Sequence, residues 1–406
     1  MIDLNDLLEQ VWPIATQQAT PTEYVSLNVA LNRVLAQDIL SSLNVPQHDN
    51  SGMDGYAVRC ADIQPSSCYQ VSQRVPAGAS PQPLQPGTVA RIFTGAPIPP
   101  GADSVVMQED VVVNDEASVT FNATPRLGQW IRRTGEDIAT GQVVLAKGTR
   151  LDAIHVGLLA SIGVSTVLVS KRLKVGVMVT GSELQSPGQV LQPGQIYNSN
   201  EYVWCGLLES MNVEVRSVGI VPDNLEATCT AFQSLADCDA VISSGGVSVG
   251  EEDHVKPAIE KVGQLRSWKV AMKPGKPIAF GHINRQGGGQ SWFFGLPGNP
   301  VSSAVAFQLI VKPFLGLLEG QTREKVDWRS RTRKVQAEFA WPTPDSRREE
   351  FLRADVQSDK AKLFENQSSG VLTSLARSTG LIRLAKGQRV NPGDWVDYVA
   401  YQDLMR

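Results

Sequence analysis

The sequence lacks the features of several common classes of protein. Its 37 lysines and arginines are outnumbered by 41 aspartates and glutamates, which gives a net charge of −4. Nucleic-acid binders usually carry a clustered positive excess, so this balance argues against them. No apolar run approaches the roughly 20 residues of a membrane span, and Met1–Gln10 carries acidic residues instead of the pattern of a signal peptide. We therefore expect a cytoplasmic protein with no nucleic-acid or membrane partner.

Cysteine and histidine are also scarce. The five cysteines are odd in number and form no C-x-x-C pair, so the sequence predicts neither a disulfide framework nor a zinc site. The four histidines have no metal-type spacing, and we assign none of them a catalytic role. The cysteines are expected to be reduced and mostly packed thiols.

A glycine-rich stretch is the strongest local signal. Val241–Gly250 reads Val-Ile-Ser-Ser-Gly-Gly-Val-Ser-Val-Gly, which predicts a buried strand that ends in a tight loop, with a helix following at Val255–Val262. Glycines let backbone N–H groups turn inward, and the start of the helix adds free donors and a positive dipole end. This glycine loop is therefore predicted to bind an anion through residues that include Ser243, Gly245, Gly246 and Ser248.

The length and the changes in pattern predict several domains. At 406 residues the chain is too long for one ordinary core. Helical periodicity covers residues 3–40, including a second run from Asn28 to Leu40, and returns at Asp152–Ile162, while short β-type runs lie between. We predict a multidomain α/β and β fold with a discontinuous helical domain at 1–44 plus 140–172, an inserted β domain at 45–139, an α/β domain at 173–320 and a C-terminal β domain at 321–406.

Strands and helices alternate from Leu173 onward. The predicted strands are Lys174–Val179, Glu214–Ile220, Ala240–Ser243, Trp268–Ala271, Ile278–Phe280 and Trp292–Phe294, and the predicted helices are Asn200–Met211, Leu225–Ala236, Val255–Val262 and Val301–Leu318. Such alternation predicts a mostly parallel sheet that binds its ligand outside the carboxyl ends of the strands. Acidic residues follow three of these ends, namely Glu183, Asp223 and Asp253. Hard oxygen ligands of this kind suit Mg²⁺ bridged to a phosphate, although Asp253 could instead be only an N-cap or first-turn acid.

A basic segment and a proline loop belong to the same domain. Lys269, Lys273 and Lys276 fall within eight residues, and a chain bent at Pro274-Gly275 could direct them at a polyanion. The alternative is a solvated charge run, which the flanking apolar residues and prolines disfavour. The loop Leu296–Pro300 is a third anion-type loop at a strand end.

The predicted β domain contains three weaker clusters. Asp49–Tyr56 could be a binding loop or a satisfied Asx turn. Arg91–Pro97 is a predicted strand that ends in a polar hydroxyl and a turn, and taken alone it is only a weak indication of a site. Arg132–Asp137 could grip an oxyanion and a metal, or it could be a surface ion-pair patch of little energetic value.

Taken together, seven separated motifs resemble the molybdopterin molybdenumtransferase family, which is also seen as the C-terminal domain of gephyrin. They occur in the family's order over nearly the whole chain, and only the part after about Gly320 matches loosely. The motifs are Asp49–Ala57, Thr94–Pro97, Arg132–Ile138, Thr180–Leu184, Ser243–Asp253, Lys273–Pro277 and Gly295–Pro300.

The resemblance implies an activity and an assembly. The expected reaction inserts molybdate into adenylylated molybdopterin, depends on Mg²⁺, and releases AMP and the molybdenum cofactor. The expected molecule is a homodimer whose α/β domain is similar to molybdopterin adenylyltransferases and whose C-terminal domain is a β barrel. A molybdopterin adenylyltransferase and molybdoenzyme maturation proteins are possible partners.

The resemblance also implies roles for individual residues. Carried over by position, the catalytic residues are Asp54, Thr94, Asp137 and Asp253, and the metal ligands are Glu183 and Asp223. Substrate binding falls on the glycine-loop residues, on Lys269, Lys273 and Lys276, on Pro297 and Pro300, and, from the loosely aligned tail, on Arg353 and Ser369.

Two departures from the family pattern leave alternatives open. Ser182 and Asn224 each stand where the family often has an acid, so each removes one carboxylate from the expected metal site. A diverged paralogue that binds molybdopterin, a scaffold of the gephyrin type and a molybdopterin adenylyltransferase are the alternative functions. The long linker of such a scaffold is not found in the sequence, and residues 1–172 differ from a stand-alone adenylyltransferase domain.

Overall fold

The chain forms two compact units. The computed structural model describes residues 1–18, 20–115, 117–245 and 254–405. The first unit contains Met1–Ala36, Lys147–Asp152 and Thr166–Arg406, and the second contains Gln37–Ala146 and Ala153–Ser165. The second unit is therefore an insertion in the sequence of the first, and the four finer domain boundaries stay a prediction.

The N-terminal part of the first unit contains one of the two predicted helices. Leu4–Gln17 is helical and buries its apolar face, as its periodicity predicts. The helix predicted from Asn28 to Leu40 is wrong. There the N–H groups of Asn32 and Leu35 donate to the carbonyls of Leu151 and Thr149 at 2.7 and 2.9 Å, so long-range pairing replaces the local bonds of a helix.

Two further strands complete this N-terminal part. Thr22–Ser26 pairs antiparallel with Thr166–Ser170. This pairing brings the chain back beside its own start after the insertion.

The centre of the first unit is a six-stranded sheet covered by helices. Its first four strands run parallel to one another, and the fifth strand runs antiparallel to both of its neighbours. This order confirms the predicted α/β architecture. The strand predicted at Trp268–Ala271 is instead the end of one strand, and Met272–Lys273 belongs to another sheet. In spatial order the strands are Glu214–Val221, Lys174–Thr180, Ala240–Ser244, Gln290–Leu296, Pro277–Asn284 and Gly263–Lys269.

The helices follow the predicted positions closely. The last helical stretch packs on the sheet through Phe314, whose ring centroid lies 5.1 Å from that of Phe294 and 5.6 Å from that of Phe280. The helical segments are Asn200–Ser210, Leu225–Ser234, Val255–Val262, Pro300–Ala306, a π-helical Phe307–Val311 and Lys312–Leu318.

The stretch Pro300–Leu318 is long and apolar enough to cross a membrane by length and composition. However, 89% of its most apolar window is buried inside the protein. It is therefore the core helix of this unit, because its apolar surface is already covered by the sheet and its neighbours.

The C-terminal part of the first unit is a closed five-stranded barrel, as the resemblance implies. Met272–Lys273, from the α/β part, pairs parallel with the start of its longest strand. Short helices lie at Arg323–Val326, Thr373–Ala376 and Tyr401–Met405. The barrel strands in spatial order are Glu349–Gln357, Lys360–Leu363, Arg333–Ala337, Trp395–Ala400 and Gly380–Leu384, which pairs back with the first.

The second unit is mainly β, as predicted for the insertion. Its one α-helix among the described residues is Ala153–Ser161. Two small ladders pair Ile39–Leu40 with Val143–Leu145 and Asn50–Ser51 with Ile131–Arg132. Its six-stranded sheet has the order Ser104–Met107, Gly55–Val58, Thr88–Ile92, Cys68–Val75, Ser118–Phe121 and Val111–Asp115.

Candidate functional site

A large cavity opens in the first unit beside the carboxyl ends of the parallel strands. Its volume is about 1020 Å³. Segments from the sheet, from the basic segment, from the proline loop and from the barrel region all reach it. Seven of the predicted site residues line it, namely Glu183, Gly245, Lys273, Lys276, Pro297, Pro300 and Ser369.

The glycine loop leaves its strand where the cavity begins. Gly245 has a φ of 80°, and a Cβ there would lie 3.2 Å from both the carbonyl oxygen and the Oγ1 of Thr180, so glycine is required by conformation and by space. Ser243 is fully buried, and it is Ser244 that lines the cavity. The predicted residues Gly246, Ser248 and Asp253 lie outside the described residues.

Asn200 ties the glycine loop to the proline loop. Its buried Nδ2 donates to Ser244 Oγ at 3.0 Å and to the Gly298 carbonyl at 2.8 Å. It is the first residue of the helix Asn200–Ser210, and it lines the cavity together with Asn198 and Ser199, which precede the helix. The positive end of a helix dipole favours anions. Sequence reasoning missed this residue, although the polar run Asn198-Ser199-Asn200 before a helix was an available signal.

The basic segment contributes two of its three predicted lysines to the cavity. Lys273 and Lys276 line it, and Lys273 Nζ lies 2.9 Å from Glu350 Oε1. Lys269 does not belong to the lining. Its carbonyl accepts a hydrogen bond from the N–H of Ile2 at 3.0 Å, and its strand is a different one from that of Lys273.

The predicted metal ligands are only partly brought together. Glu183 lines the cavity and Asp223 does not. Asn224, which replaces a family acid, caps the helix Leu225–Ser234 by accepting from Ala227 N at 2.8 Å. Within the described ranges, no group of three acidic, histidine or cysteine side chains could hold a metal. Glu183 and Asp223 alone therefore do not form a Mg²⁺ site.

In the barrel, the structure places a different arginine at the cavity from the one predicted. Arg353 is 1% exposed, and its guanidinium donates to Ser374 Oγ at 3.1 Å and to the Ser368 carbonyl at 3.3 Å. It thus braces the loop that carries Ser369. Arg348 lines the cavity instead. In the sequence it lies in a run of acidic and basic residues, and no pattern in that run distinguishes it from its neighbours.

In the second unit, Asp54 and Thr94 are in direct contact. Asp54 Oδ1 accepts from Thr94 N at 2.7 Å and from Thr94 Oγ1 at 2.9 Å. The pKa of the Asp54 carboxyl lies below its ordinary value, mainly because it accepts from the Thr94 backbone N–H and secondly because it accepts from the Thr94 hydroxyl. Asp137 is also exposed. This unit therefore presents acids on open loops.

The neighbouring cluster in the second unit is a hydrogen-bonded network. Asp49 accepts from Thr134 N at 2.8 Å and from Arg133 NH1 at 2.6 Å. The Thr134 backbone N–H is the main reason that the pKa of Asp49 is lowered. Arg133 of the cluster Arg132–Asp137 thus pairs with Asp49, which lies outside that cluster.

Comparison with known families covers most of the chain in three consecutive parts. Residues 2–163 match the MoeA N-terminal region (domain I and II). Residues 176–316 match a probable molybdopterin binding domain, and residues 334–401 match the MoeA C-terminal region (domain IV).

Individual relatives agree with these matches. The chain is 48% identical over 325 residues to the molybdopterin molybdenumtransferase of Haemophilus influenzae, covering 79% of this chain and 78% of the relative. It is 35% identical over 390 residues to the protein of the same name from Bacillus subtilis, covering 92% and 88%. The crystal structure of the molybdopterin biosynthesis moeA protein from Pyrococcus horikoshii matches with a TM-score of 0.82 at 28% identity, covering 99% and 100% of the two chains. The chain therefore belongs to the molybdopterin molybdenumtransferase family.

Proposed function

We propose that the protein inserts molybdate into adenylylated molybdopterin and releases AMP and the molybdenum cofactor. In this reaction the phosphoanhydride bond between the pterin phosphate and the adenylate is hydrolysed, so that water supplies the oxygen with which AMP leaves. Molybdenum is bound by the two thiols of the pterin, and the oxygen that they displace from molybdate leaves as water. The protein is thus a transferase of molybdenum cofactor biosynthesis.

The observation that carries the proposal is the composition of one cavity. Lys273, Lys276 and Arg348 bring three cations to it, and Gly245 brings the start of the glycine loop. Lysine and arginine bind phosphates and oxyanions through charge-assisted hydrogen bonds. Ligand pockets are typically ~300–1,000 Å³, so a volume of about 1020 Å³ suits a ligand as large as a nucleotide-linked pterin with an oxyanion beside it.

Within this proposal, Lys273, Lys276, Arg348 and the loop that carries Ser369 hold the oxyanion and the phosphates. The N-terminal end of the helix Asn200–Ser210 adds its dipole to the same wall of the cavity. Gly245, next to the Ser244 that Asn200 holds, supplies a close backbone surface for a phosphate. The role of the chain's own groups is therefore to bind and orient two anionic partners side by side.

We propose catalytic roles for three residues of the second unit. Asp54 and Asp137 are the catalytic acids, and Thr94 positions Asp54. The support is the fixed, charged Asp54 carboxylate on an open loop. Asp253 stays a proposed catalytic acid, and Mg²⁺, with Glu183 and Asp223 as ligands, stays part of the proposal on the strength of the resemblance.

We also propose a cytoplasmic homodimer. The second unit exposes large apolar side chains, including Ile154 at 79%, Leu40 at 55% and Val143 at 48%. Covering such surface in a second copy would remove apolar area from water. A molybdopterin adenylyltransferase and molybdoenzyme maturation proteins remain the proposed partners.

One experiment tests the activity directly. The purified full chain is incubated with adenylylated molybdopterin, Mg²⁺ and molybdate, and AMP release is followed together with formation of the molybdenum cofactor. The expected result is AMP release that depends on molybdate. If the protein instead consumed ATP and molybdopterin to give the adenylylated pterin, the adenylyltransferase alternative would replace this proposal.

A further inference from the structure

A buried carboxylate of the barrel lies behind Lys273. Glu350 is 1% exposed, and its Oε1 lies 2.9 Å from Lys273 Nζ. Its Oε2 accepts from Trp341 Nε1 and from Asp345 N, both at 2.9 Å. Both oxygens are therefore hydrogen-bonded, as a buried carboxylate requires, and the lysine is one of only three donors that they meet among the described residues.

The same network reaches the second cation of this wall. Asp345, whose N–H donates to Glu350, accepts from Arg348 Nε at 2.8 Å and lies 2.6 Å from its NH2 group. Arg348 and Lys273 both line the cavity. Glu350 and Asp345 do not line the cavity. They connect Lys273 and Arg348, which do line it.

The backbone reinforces the connection between Lys273 and Glu350. Met272–Lys273 pairs parallel with the barrel strand Glu349–Gln357, and Lys273 lies in register with Glu350. The Glu349 N–H donates to the Ala271 carbonyl at 2.8 Å. Lys273 is therefore fixed to the barrel through its main chain and through its ammonium group.

We propose that Glu350 is a positioning residue for the oxyanion substrate. It holds Lys273 Nζ at the wall of the cavity, and through Asp345 it joins Lys273 and Arg348 into one preorganised receptor for a tetrahedral oxyanion of the molybdate class. A free lysine would lose rotamer entropy when an oxyanion binds, whereas a lysine already held loses less. The inference rests on the proposed function and concerns the role of Glu350 behind this wall of the cavity.

The test compares two neighbouring glutamates of one strand. Glu350→Gln keeps the size of the side chain and an oxygen for Trp341 and Asp345 but removes the charge that holds Lys273. Glu349→Gln is the matched control, because the Glu349 carboxylate pairs with Arg383 at 2.6 Å and does not line the cavity. Equilibrium binding of molybdate to each full-length variant is measured by titration calorimetry, together with the KM for molybdate and kcat.

The expected result is a specific loss of oxyanion affinity. Glu350→Gln binds molybdate about tenfold more weakly, because the oxyanion then has to order the Lys273 side chain itself, while Glu349→Gln binds as the wild type does. In turnover, the KM for molybdate rises, and kcat and the KM for adenylylated molybdopterin stay within twofold. Equal molybdate affinity in the two variants would overturn the inference, and so would wild-type protein that binds no molybdate.

A double-mutant cycle shows whether Glu350 acts through the lysine. In a Lys273→Gln background, Glu350→Gln should cause no further loss of affinity, whereas an additive loss would mean that Glu350 acts elsewhere. Should Glu350→Gln fail to fold, Glu350→Asp keeps the buried charge but is shorter, and is expected to weaken molybdate binding; unchanged binding would also reject the idea.

The outcome can be separated from that of the proposed function. Wild-type protein that binds molybdate but releases no AMP would refute the proposed reaction, while the binding comparison would still decide the role of Glu350. Wild-type protein that turns over normally, with both glutamate variants alike, would keep the reaction and reject the positioning role.

Discussion

The two units treat their charged residues in opposite ways. In the first unit, lysines, an arginine and a glutamate line a cavity of about 1020 Å³. The buried Glu350 and the half-buried Asp345 hold two of these cations, Lys273 and Arg348. In the second unit, Asp54 is fully exposed and is fixed by hydrogen bonds from a neighbouring loop. The first unit is built to enclose a ligand, and the second is built to present carboxylates.

This difference suggests that the first unit provides binding affinity and that the second provides catalytic groups. A cavity with paired cations determines affinity, because the binding groups are already in place before the anion arrives. An exposed acid contributes little affinity by itself, but it can act on charge that develops in the transition state. Variants in the two units should therefore affect different kinetic constants.

The largest effect is expected from Asp54→Asn in the second unit. The change keeps the shape of the side chain but removes the charge, and kcat for AMP release should fall about 100-fold, as for other groups that stabilise a transition state. The KM for molybdate should stay within twofold. Measuring both constants distinguishes a catalytic acid from a binding residue.

Asp115→Asn is the control for this variant. Asp115 is also exposed, and its carboxylate also accepts a backbone hydrogen bond, from Ala117 N at 2.8 Å. It belongs to none of the family motifs. A loss of activity as large as that of Asp54→Asn would show that any exposed acid of this unit matters, and the comparison between the units would break down.

The next effect is expected from Lys276→Gln in the cavity. Because an exposed lysine of the lining offers a charge-assisted contact, its loss should weaken binding of molybdate or of the pterin phosphate about tenfold and leave kcat nearly unchanged. Titration of each ligand identifies which one it contacts. Lys261→Gln, on the helix Val255–Val262, is the control. Equal affinities in the two variants would remove Lys276 from the site.

Sequence patterns predicted the regular strands and helices better than the segments that pair with distant parts of the chain. The parallel strands and their helices were predicted closely, because long apolar runs with regular spacing reflect burial in the core. The predicted helix from Asn28 to Leu40 failed because its hydrogen bonds go to residues far away in the chain. Local periodicity contains no record of such partners.

The same limit applies to the site. Lys273, Lys276 and Gly245 were predicted because they lie in short motifs with a clear chemical meaning. Arg348, Asn200 and Glu350 were not. Their importance comes from segments that meet only in three dimensions, such as the pairing of Met272–Lys273 with the barrel.

A smaller effect is expected from Gly245→Ala in the glycine loop. Alanine at a φ of 80° is strained and its Cβ would lie 3.2 Å from two oxygens of Thr180, so the loop should shift and ligand affinity should fall about fivefold, the equivalent of ~1 kcal/mol. Gly206→Ala is the control. It lies in the helix Asn200–Ser210, where an added Cβ has no neighbour within 4 Å, and it should stabilise the protein slightly. Unchanged affinity in Gly245→Ala would show that the glycine loop tolerates a side chain.

The smallest effect concerns the hydrogen bonds that hold Asp54. The Thr94 N–H and hydroxyl lower the pKa of the Asp54 carboxyl, so this acid stays charged to lower pH than an ordinary aspartate. Thr94→Val removes the hydroxyl and keeps the N–H. The pKa of Asp54 should therefore rise, and the acid limb of the pH–rate profile should move to higher pH, as a carboxyl-carbon NMR titration can check. Thr134→Val removes the matching hydroxyl from Asp49, where Thr134 Oγ1 lies 2.9 Å from Oδ1. If Thr134→Val moved the acid limb and Thr94→Val did not, Asp49 rather than Asp54 would be the acid that the reaction requires.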